Sequence, residues 1–242
     1  MIYGLGTTRG GTRTLATYLS DAGFPVTYED TCPSCRLYSH DNPREPIKDL
    51  YRGRTAGDVA YVHALAMQEI VEVDPDVKFV HYTRNPVDYI ASLIALKMTH
   101  KTQRGGATPI NQNMTWTPRT GIRYGTRFGS DEVLSANFGY HGPTDQGWSS
   151  NIVVQLTFYW QKVHRMILEF LGDFPRERWF RVKMENLEED GPKMLKHFGS
   201  DVRPKIVWGN RARYIKTPLT PKELQIVADG AGPVMRTLGY PT

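Results

Sequence analysis

A glycine-rich stretch near the start of the chain combines a cation, hydroxyl groups and small residues in a spacing suited to binding an anion. It reads GLGTTRGGTRTL over residues 4–15, with Arg9 inside the turn and Thr12 just beyond the glycines. Backbone N–H groups at the start of a helix, together with a nearby guanidinium, form a ready site for a tetrahedral oxyanion. The stretch therefore predicts an anion-binding loop between a strand and a helix.

Two common nucleotide loops do not fit this stretch. The dinucleotide fingerprint needs a third glycine where Arg9 stands, and a bulky side chain there would prevent close packing of the helix on the strand. The triphosphate-binding loop needs Lys followed by Ser or Thr, where this chain has Thr12 and Arg13. From this stretch alone, an ordinary strand–turn–helix connection with glycines for tight geometry stays open.

A second cation follows another predicted strand. Arg84 begins the run RNPVDYIAS, which reaches Ser92 eight residues later. Pro86 suits the first turn of a helix, and a rise of about 1.5 Å per residue then places Ser92 roughly 9 Å along the helix axis. Taken singly, Arg84 could pair with a carboxylate and Ser92 could be an ordinary small helix residue.

The pattern around these residues predicts an α/β protein with a doubly wound, mostly parallel central sheet flanked by helices. Strands are predicted at residues 2–6, 24–29, 58–63 and 77–83 and in a stretch beginning at Trp179, and helical segments alternate with them. Ligands of such sheets bind at the carboxyl ends of the strands. We therefore expect Arg9, His63 and Arg84 to follow strands at that edge.

The length and composition fit a single domain spanning 1–242. A net charge of +5 favours an anionic ligand but is too small to indicate a nucleic acid partner. No apolar run approaches the roughly 20 residues that span a bilayer, and no basic leader precedes the first strand. We expect a cytoplasmic protein without a membrane span; its oligomeric state cannot be predicted from these features.

Two further segments carry weaker signals. Residues 98–150 hold eight glycines and six aromatic residues, and a long stretch of this kind is typical of an insertion or lid near a binding site. Cys32 and Cys35 form a C-x-x-C pair, but no second pair exists to complete a zinc site. We interpret the pair as a turn with two reduced thiols and predict no metal.

Together, the two cationic loops resemble the signatures of sulfotransferases that use 3′-phosphoadenosine-5′-phosphosulfate (PAPS). The first signature, a strand followed by [K/R]-S-G-T-[T/S], stands here as RGGTRT over residues 9–14. The second, R-[N/D]-P-x-D with a serine eight residues after the arginine, is matched in full from Arg84 to Ser92. A softer echo of the family's Y-E-D-L is MENL at residues 184–187. This ordered set runs over nearly the whole chain.

The resemblance implies an enzyme that transfers a sulfuryl group, in line and without metal, from PAPS to a hydroxyl of a small-molecule or carbohydrate acceptor. It implies a P-loop-like loop for the 5′-phosphosulfate, in which Arg9 and Thr12 also stabilise charge on the bridging oxygen. Arg84 and Ser92 would hold the 3′-phosphate, helped by a basic segment near the end of the chain. The implied donor-binding residues are Arg9, Gly10, Gly11, Thr12, Arg13, Thr14, Arg84, Ser92, Arg211 and Arg213.

The acceptor hydroxyl needs a general base, and the resemblance offers two. In the cytosolic branch of the family the base is a histidine at the end of the strand before the 3′-phosphate strand, which corresponds to His63. Other branches use a carboxylate shortly after the second strand, where Glu29 and Asp30 lie. We favour His63 and keep Glu29 as the alternative.

The chain also departs from the family pattern. Gly10 stands in place of a serine, Arg13 in place of a hydroxyl residue, and Thr14 in place of a tryptophan that is common in the cytosolic branch. Tyr61 replaces a lysine often found two residues before the catalytic histidine. These differences concern the contacts to the nucleotide.

Two other functions stay open from the sequence. A P-loop small-molecule kinase is disfavoured because the Lys-Ser/Thr pair is missing. A non-catalytic module that binds a nucleotide or polyanion through the basic segments at 97–150 and 203–217 remains an alternative.

Overall fold

The computed structural model describes residues 1–7, 10–29, 48–49, 51–103, 152–208 and 218–242. The chain divides into two compact units. The first comprises Met1–Arg84 and Val163–Arg211, and the second comprises Asn85–Lys162 and Ala212–Thr242. This division into units does not test the prediction of a single domain over 1–242, which stays a prediction.

The first unit contains all the described strands, which form one five-stranded parallel sheet. The strands are β1 (Ile2–Leu5), β2 (Val26–Tyr28), β3 (Gly57–Val59), β4 (Lys78–Thr83) and β5 (Trp179–Lys183). Their order across the sheet is β2-β3-β1-β4-β5, and every neighbouring pair is parallel. The α/β fold with a parallel central sheet is therefore confirmed. The strand order changes direction at β1, and such a switch point opens a crevice at the carboxyl end of the strand.

Helices cover both faces of this sheet. Helices α1 (Thr12–Asp21) and α5 (Leu187–His197) pack on one face, against alternate strand residues such as Val80 and Val182. On the other face the rings of Phe79 and Phe170 meet edge to face, their centroids 5.9 Å apart. Phe170 belongs to α4 (Ile152–Gly172), a long apolar helix that begins in the second unit. The short α2 (Met67–Val73) precedes β4.

The second unit is helical in its described residues. Helix α3 (Pro86–Gln103) begins where Asn85 Oδ1 accepts the N–H of Val87 at 2.9 Å, so Asn85 caps the helix. Helix α6 (Pro221–Thr237) starts with a capping box between Thr220 and Glu223. In the part of the chain that the structure describes, no helix is long and apolar enough to cross a membrane.

The structure gives the strand order and corrects one predicted strand. In the sheet, β3 lies between β1 and β2. A Cβ added at Gly57 of β3 would come within 1.8 Å of the carbonyl oxygen of Ile2, so only glycine permits this close pairing. The predicted strand 58–63 ends at Val59, and its second half forms the 3-10 turn Tyr61–Leu65. His63 therefore lies in a turn and not at the end of a strand.

Other predictions fall on residues outside the described ranges. Of the predicted insertion 98–150, residues 98–103 form the end of α3, and 104–150 are not described. Cys32 and Cys35 also lie outside the described residues.

Candidate active site

The chain passes from β1 through the glycine-rich turn into α1, which begins at Thr12. The residue before the helix is Gly11, whose φ of 108° lies in the left-handed region that favours glycine. Because a glycine occupies this position, no side chain there caps the first N–H groups of the helix. The first turn of α1 holds no acidic residue. A positive helix end without a side-chain cap, at the edge of a parallel sheet, suits a bound anion.

The shape of this turn depends on Tyr82 of β4, a residue outside both sequence signatures. A Cβ added at Gly6 would lie 2.5 Å from Cε2 of the buried Tyr82 ring, and one at Gly10 would lie 2.8 Å from the same atom. The Tyr82 hydroxyl donates to the carbonyl of Thr7 at 3.4 Å, and the Gly10 N–H donates to that carbonyl at 3.1 Å. Two glycines of the turn are thus required by the aromatic ring beneath it.

Gly11 has a separate packing partner. A Cβ added to it would come within 2.7 Å of Cε of Met184, which is buried in the 3-10 turn Met184–Asn186 after β5. The MENL stretch that echoed the family's Y-E-D-L therefore packs against Gly11, the residue that precedes α1. The contact gives this softer motif a structural role in holding the start of the helix.

A carboxylate lies beside the first residue of α1. Glu29 directly follows β2, and its Oε1 accepts the hydroxyl of Thr12 at 3.4 Å. Its backbone has a φ of 48°, which is uncommon for a residue other than glycine and often marks a functional position. The Glu29 N–H donates to the carbonyl of Val59 at 3.4 Å, which ties this unusual backbone to β3.

Tyr28 completes the group of side chains at this place. It is 39% exposed, and its phenol interacts with the side chains of Thr12 and Glu29. Burial raises the pKa of the Tyr28 phenol and the Glu29 carboxylate raises it further, whereas Thr12 and Arg13 act in the opposite direction. We refer to Thr12, Arg13, Tyr28 and Glu29 as the α1-start cluster.

His63 takes part in a different, fully buried network. Its Nε2 lies 3.1 Å from Oδ2 of Asp58 and its Nδ1 lies 2.8 Å from the hydroxyl of Tyr51. Burial lowers the pKa of His63, and the contact with Asp58 offsets this only in part. A neutral ring then donates from Nε2 to Asp58 and accepts from Tyr51 at Nδ1. Both ring nitrogens are thus engaged inside the protein.

The remaining predicted site residues fall into three groups. Arg84 directly follows β4 in the first unit and is half-buried. Ser92 is buried within α3 of the second unit, and Thr14 is buried in α1. Arg9, Asp30, Arg211 and Arg213 lie outside the described residues. Among the described residues, no group of three His, Cys, Asp or Glu side chains is arranged to hold a metal ion.

No family model matches the chain, and no curated protein matches it. A solved structure of a sulfotransferase from Alicyclobacillus acidocaldarius is similar at 15% identity with a TM-score of 0.51, covering 100% of this chain and 96% of that one. The fold is similar to that of a sulfotransferase. A sulfotransferase domain from the curacin biosynthetic pathway aligns at 12% identity with a TM-score of 0.49, covering 100% and 98% of the two chains. At such identity the likeness concerns the fold, and activity must be argued from the site.

Proposed function

We propose that this protein is a sulfotransferase that moves a sulfuryl group from PAPS to a hydroxyl of a small-molecule or carbohydrate acceptor. The observation that carries the proposal is the contact between Thr12 Oγ1 and Glu29 Oε1, 3.4 Å apart at the start of α1. It puts a proton acceptor beside an anion-binding helix end, which are the two parts that the transfer needs. The fold likeness and the two sequence signatures support the same activity.

The residues around the glycine-rich turn fit the 5′ end of such a donor. The start of α1 offers backbone N–H groups, no residue of its first turn is acidic, and Arg13 is exposed there. We assign the 5′-phosphosulfate to the backbone of Gly10–Thr14 and to Arg9. When bound, the donor supplies the sulfuryl group and departs as 3′-phosphoadenosine-5′-phosphate (PAP).

The assignment of the 3′-phosphate rests on the sequence signature. The signature assigns the 3′-phosphate to Arg84 and Ser92, with Arg211 and Arg213 assisting. Arginine suits this role because a guanidinium meets a phosphate through two parallel hydrogen bonds. The proposal requires no metal and keeps the cytoplasmic location that the sequence favours.

For the general base we propose Glu29 in place of the first choice from sequence, His63. Glu29 is half-buried beside the helix end, whereas both nitrogens of His63 are engaged by Asp58 and Tyr51. The lowered pKa of His63 further disfavours proton uptake by its ring. His63 is then a structural residue that holds β3 and Tyr51 together.

The proposed transfer balances as a single displacement. Glu29 takes the proton of the acceptor hydroxyl while the acceptor oxygen forms a bond to sulfur. The bond from sulfur to the phosphate oxygen breaks at the same time. The N–H groups of α1, the Thr12 hydroxyl and Arg9 stabilise the negative charge that develops on that departing oxygen. The N–H groups of α1 are held in place by the helix before the reaction starts, and the Thr12 hydroxyl turns from Glu29 to the departing oxygen.

Ligand-induced stabilisation tests the proposed donor. A ligand that binds only the folded state raises the melting temperature by mass action. We expect PAP to raise the melting temperature and ATP with Mg²⁺ to leave it unchanged. Stabilisation by ATP with Mg²⁺ together with its turnover would instead support the kinase, and PAP binding without transfer to any hydroxyl would support the binding module.

A further inference from the structure

Thr7 carries a buried hydroxyl that has no hydrogen-bond partner among the described residues. The residue is 1% exposed, and its Oγ1 is shielded from solvent. A buried polar group without a partner costs stability, while valine has nearly the same shape and carries no such cost. A threonine at this position therefore indicates a partner outside the described protein atoms.

The location of Thr7 identifies the kind of partner. Thr7 lies two residues beyond β1, and its carbonyl oxygen accepts the N–H of Gly10 at 3.1 Å and the hydroxyl of Tyr82 at 3.4 Å. Its backbone is thereby fixed in the turn that leads into the uncapped start of α1. A hydroxyl with no partner among the described residues and a helix start without a side-chain cap occur together in one short segment.

An unpartnered hydroxyl alone names no ligand. Thr157 of α4 in the second unit is also buried, at 2% exposure, and its Oγ1 also lacks a partner among the described residues. Thr157 lies within a helix and is not part of an anion-binding turn. The combination with the helix end distinguishes Thr7 and makes Thr157 a matched control.

We propose that the Thr7 hydroxyl donates a hydrogen bond to the tetrahedral oxyanion group that binds at the start of α1. This proposal rests on the proposed function, in which that group is the 5′-phosphosulfate of the donor or the 5′-phosphate of PAP. The oxygens of such a group are strong acceptors, and a hydroxyl that donates to a charged oxygen forms a short, strong bond. Thr7 adds a side-chain donor from the strand end to the backbone donors of the helix.

The test compares Thr7→Val, Thr7→Ser and Thr157→Val with the wild type. Calorimetry measures the dissociation constant of PAP, and thermal melting measures the stability of each protein without ligand. We expect Thr7→Val to weaken PAP binding by about tenfold or more and to melt at or above the wild-type temperature. Thr7→Ser should keep most of the affinity because it keeps the hydroxyl. Thr157→Val should keep the affinity in full.

Each other outcome overturns the proposal. Thr7→Val with wild-type affinity for PAP would show that the hydroxyl makes no bond to the ligand. A clear loss of melting temperature in unliganded Thr7→Val would show that the hydroxyl already has a partner in the protein. Equal losses of affinity in Thr7→Val and Thr7→Ser would assign the effect to packing.

Inorganic pyrophosphate, which also joins two tetrahedral oxyanions, separates this proposal from the proposed function. If the wild type binds pyrophosphate but not PAP, the proposed function fails, and Thr7 is judged by whether Thr7→Val weakens pyrophosphate binding. If the wild type binds neither, both are overturned.

Discussion

The hydroxyl of Thr12 donates to the carboxylate of Glu29 over 3.4 Å, which joins the start of α1 to the residue that follows β2. Strand β1 leads to the turn before Thr12, and strand β2 leads to Glu29. The two residues meet because β1 and β2 end at the same edge of the parallel sheet. Glu29 adopts a positive φ at this place, a conformation that costs free energy and persists only where the surroundings enforce it. The strained residue is the one we assign as the base.

Replacing Glu29 with glutamine tests that role. Glutamine keeps the size and can still accept from Thr12, but it cannot take a proton from the acceptor. Loss of a general base lowers the rate by about 100-fold or more, so we expect this loss in sulfuryl transfer with the affinity for PAP retained. Glu177→Gln, in an exposed turn, is the matched control and should keep the wild-type rate. A Glu29→Gln enzyme with full activity would return the role of base to His63.

Replacing Tyr51 with phenylalanine tests the structural role of His63. The change removes the hydroxyl that lies 2.8 Å from His63 Nδ1 and leaves a buried ring nitrogen without its donor. Such a loss costs about 1–3 kcal/mol, which denaturant unfolding would show as a lower free energy of unfolding. The transfer rate of the folded protein should stay close to the wild-type rate. A normal free energy of unfolding combined with lost activity would mean that His63 acts in the reaction.

The glycines over Tyr82 predict a difference between two substitutions by alanine. Gly6→Ala would place a methyl group 2.5 Å from the Tyr82 ring and from the Tyr82 carbonyl, so the turn must shift. We expect a destabilisation of about 1–3 kcal/mol and weaker PAP binding. Gly172→Ala is the control, because an added Cβ there meets no atom within 4 Å. Equal melting temperatures and equal PAP affinities for the two variants would refute the role of Tyr82 in shaping the turn.

A buried histidine pair on the sheet face opposite α1 predicts that the stability of the fold decreases in acid. His81 Nε2 lies 2.9 Å from His164 Nδ1, and burial lowers the pKa of both rings, that of His164 to about 3. The positive charge of Arg181 acts in the same direction. The unfolded chain, with histidine pKa values near 6.5, binds protons first as the pH falls. Stability is therefore complete above about pH 6.5 and decreases from there toward pH 3.

Thermal melting across that pH range measures the effect. Replacing both histidines with leucine removes two groups that take up protons only after unfolding, so the melting temperature should fall less steeply with acidity than in the wild type. An unchanged slope in the double variant would assign the acid sensitivity to other groups.

The sequence predicted the sheet more fully than it predicted the site. Hydrophobic runs located each strand to within a few residues, and Pro86 marked the start of its helix because such signals are local. The alternating run at residues 58–63 predicted one strand, but its second half is a 3-10 turn. Alternation alone could not distinguish a strand end from a turn held by the buried partners of His63.

The contacts that define the site are long-range and leave little signal in one sequence. Neither the pairing of Thr12 with Glu29 nor the packing of Gly6 on Tyr82 follows from local spacing, since each joins residues that are far apart in the sequence. The alternation in β4 does put Tyr82 on the same face as Val80, toward α1. That was the one sequence feature that pointed to Tyr82. The insertion of β3 between β1 and β2 depends on the missing Cβ of Gly57, which the sequence shows but does not explain.

Formation of PAP from PAPS by the purified protein tests the central claim most directly. The reaction would contain a mixture of phenolic and carbohydrate hydroxyl acceptors and a metal chelator, and PAP and sulfated product would be measured together. The account predicts that PAP and sulfated acceptor form in equal amounts and that ATP is not consumed. Failure to form PAP with any acceptor, together with turnover of ATP once Mg²⁺ is supplied, would contradict it.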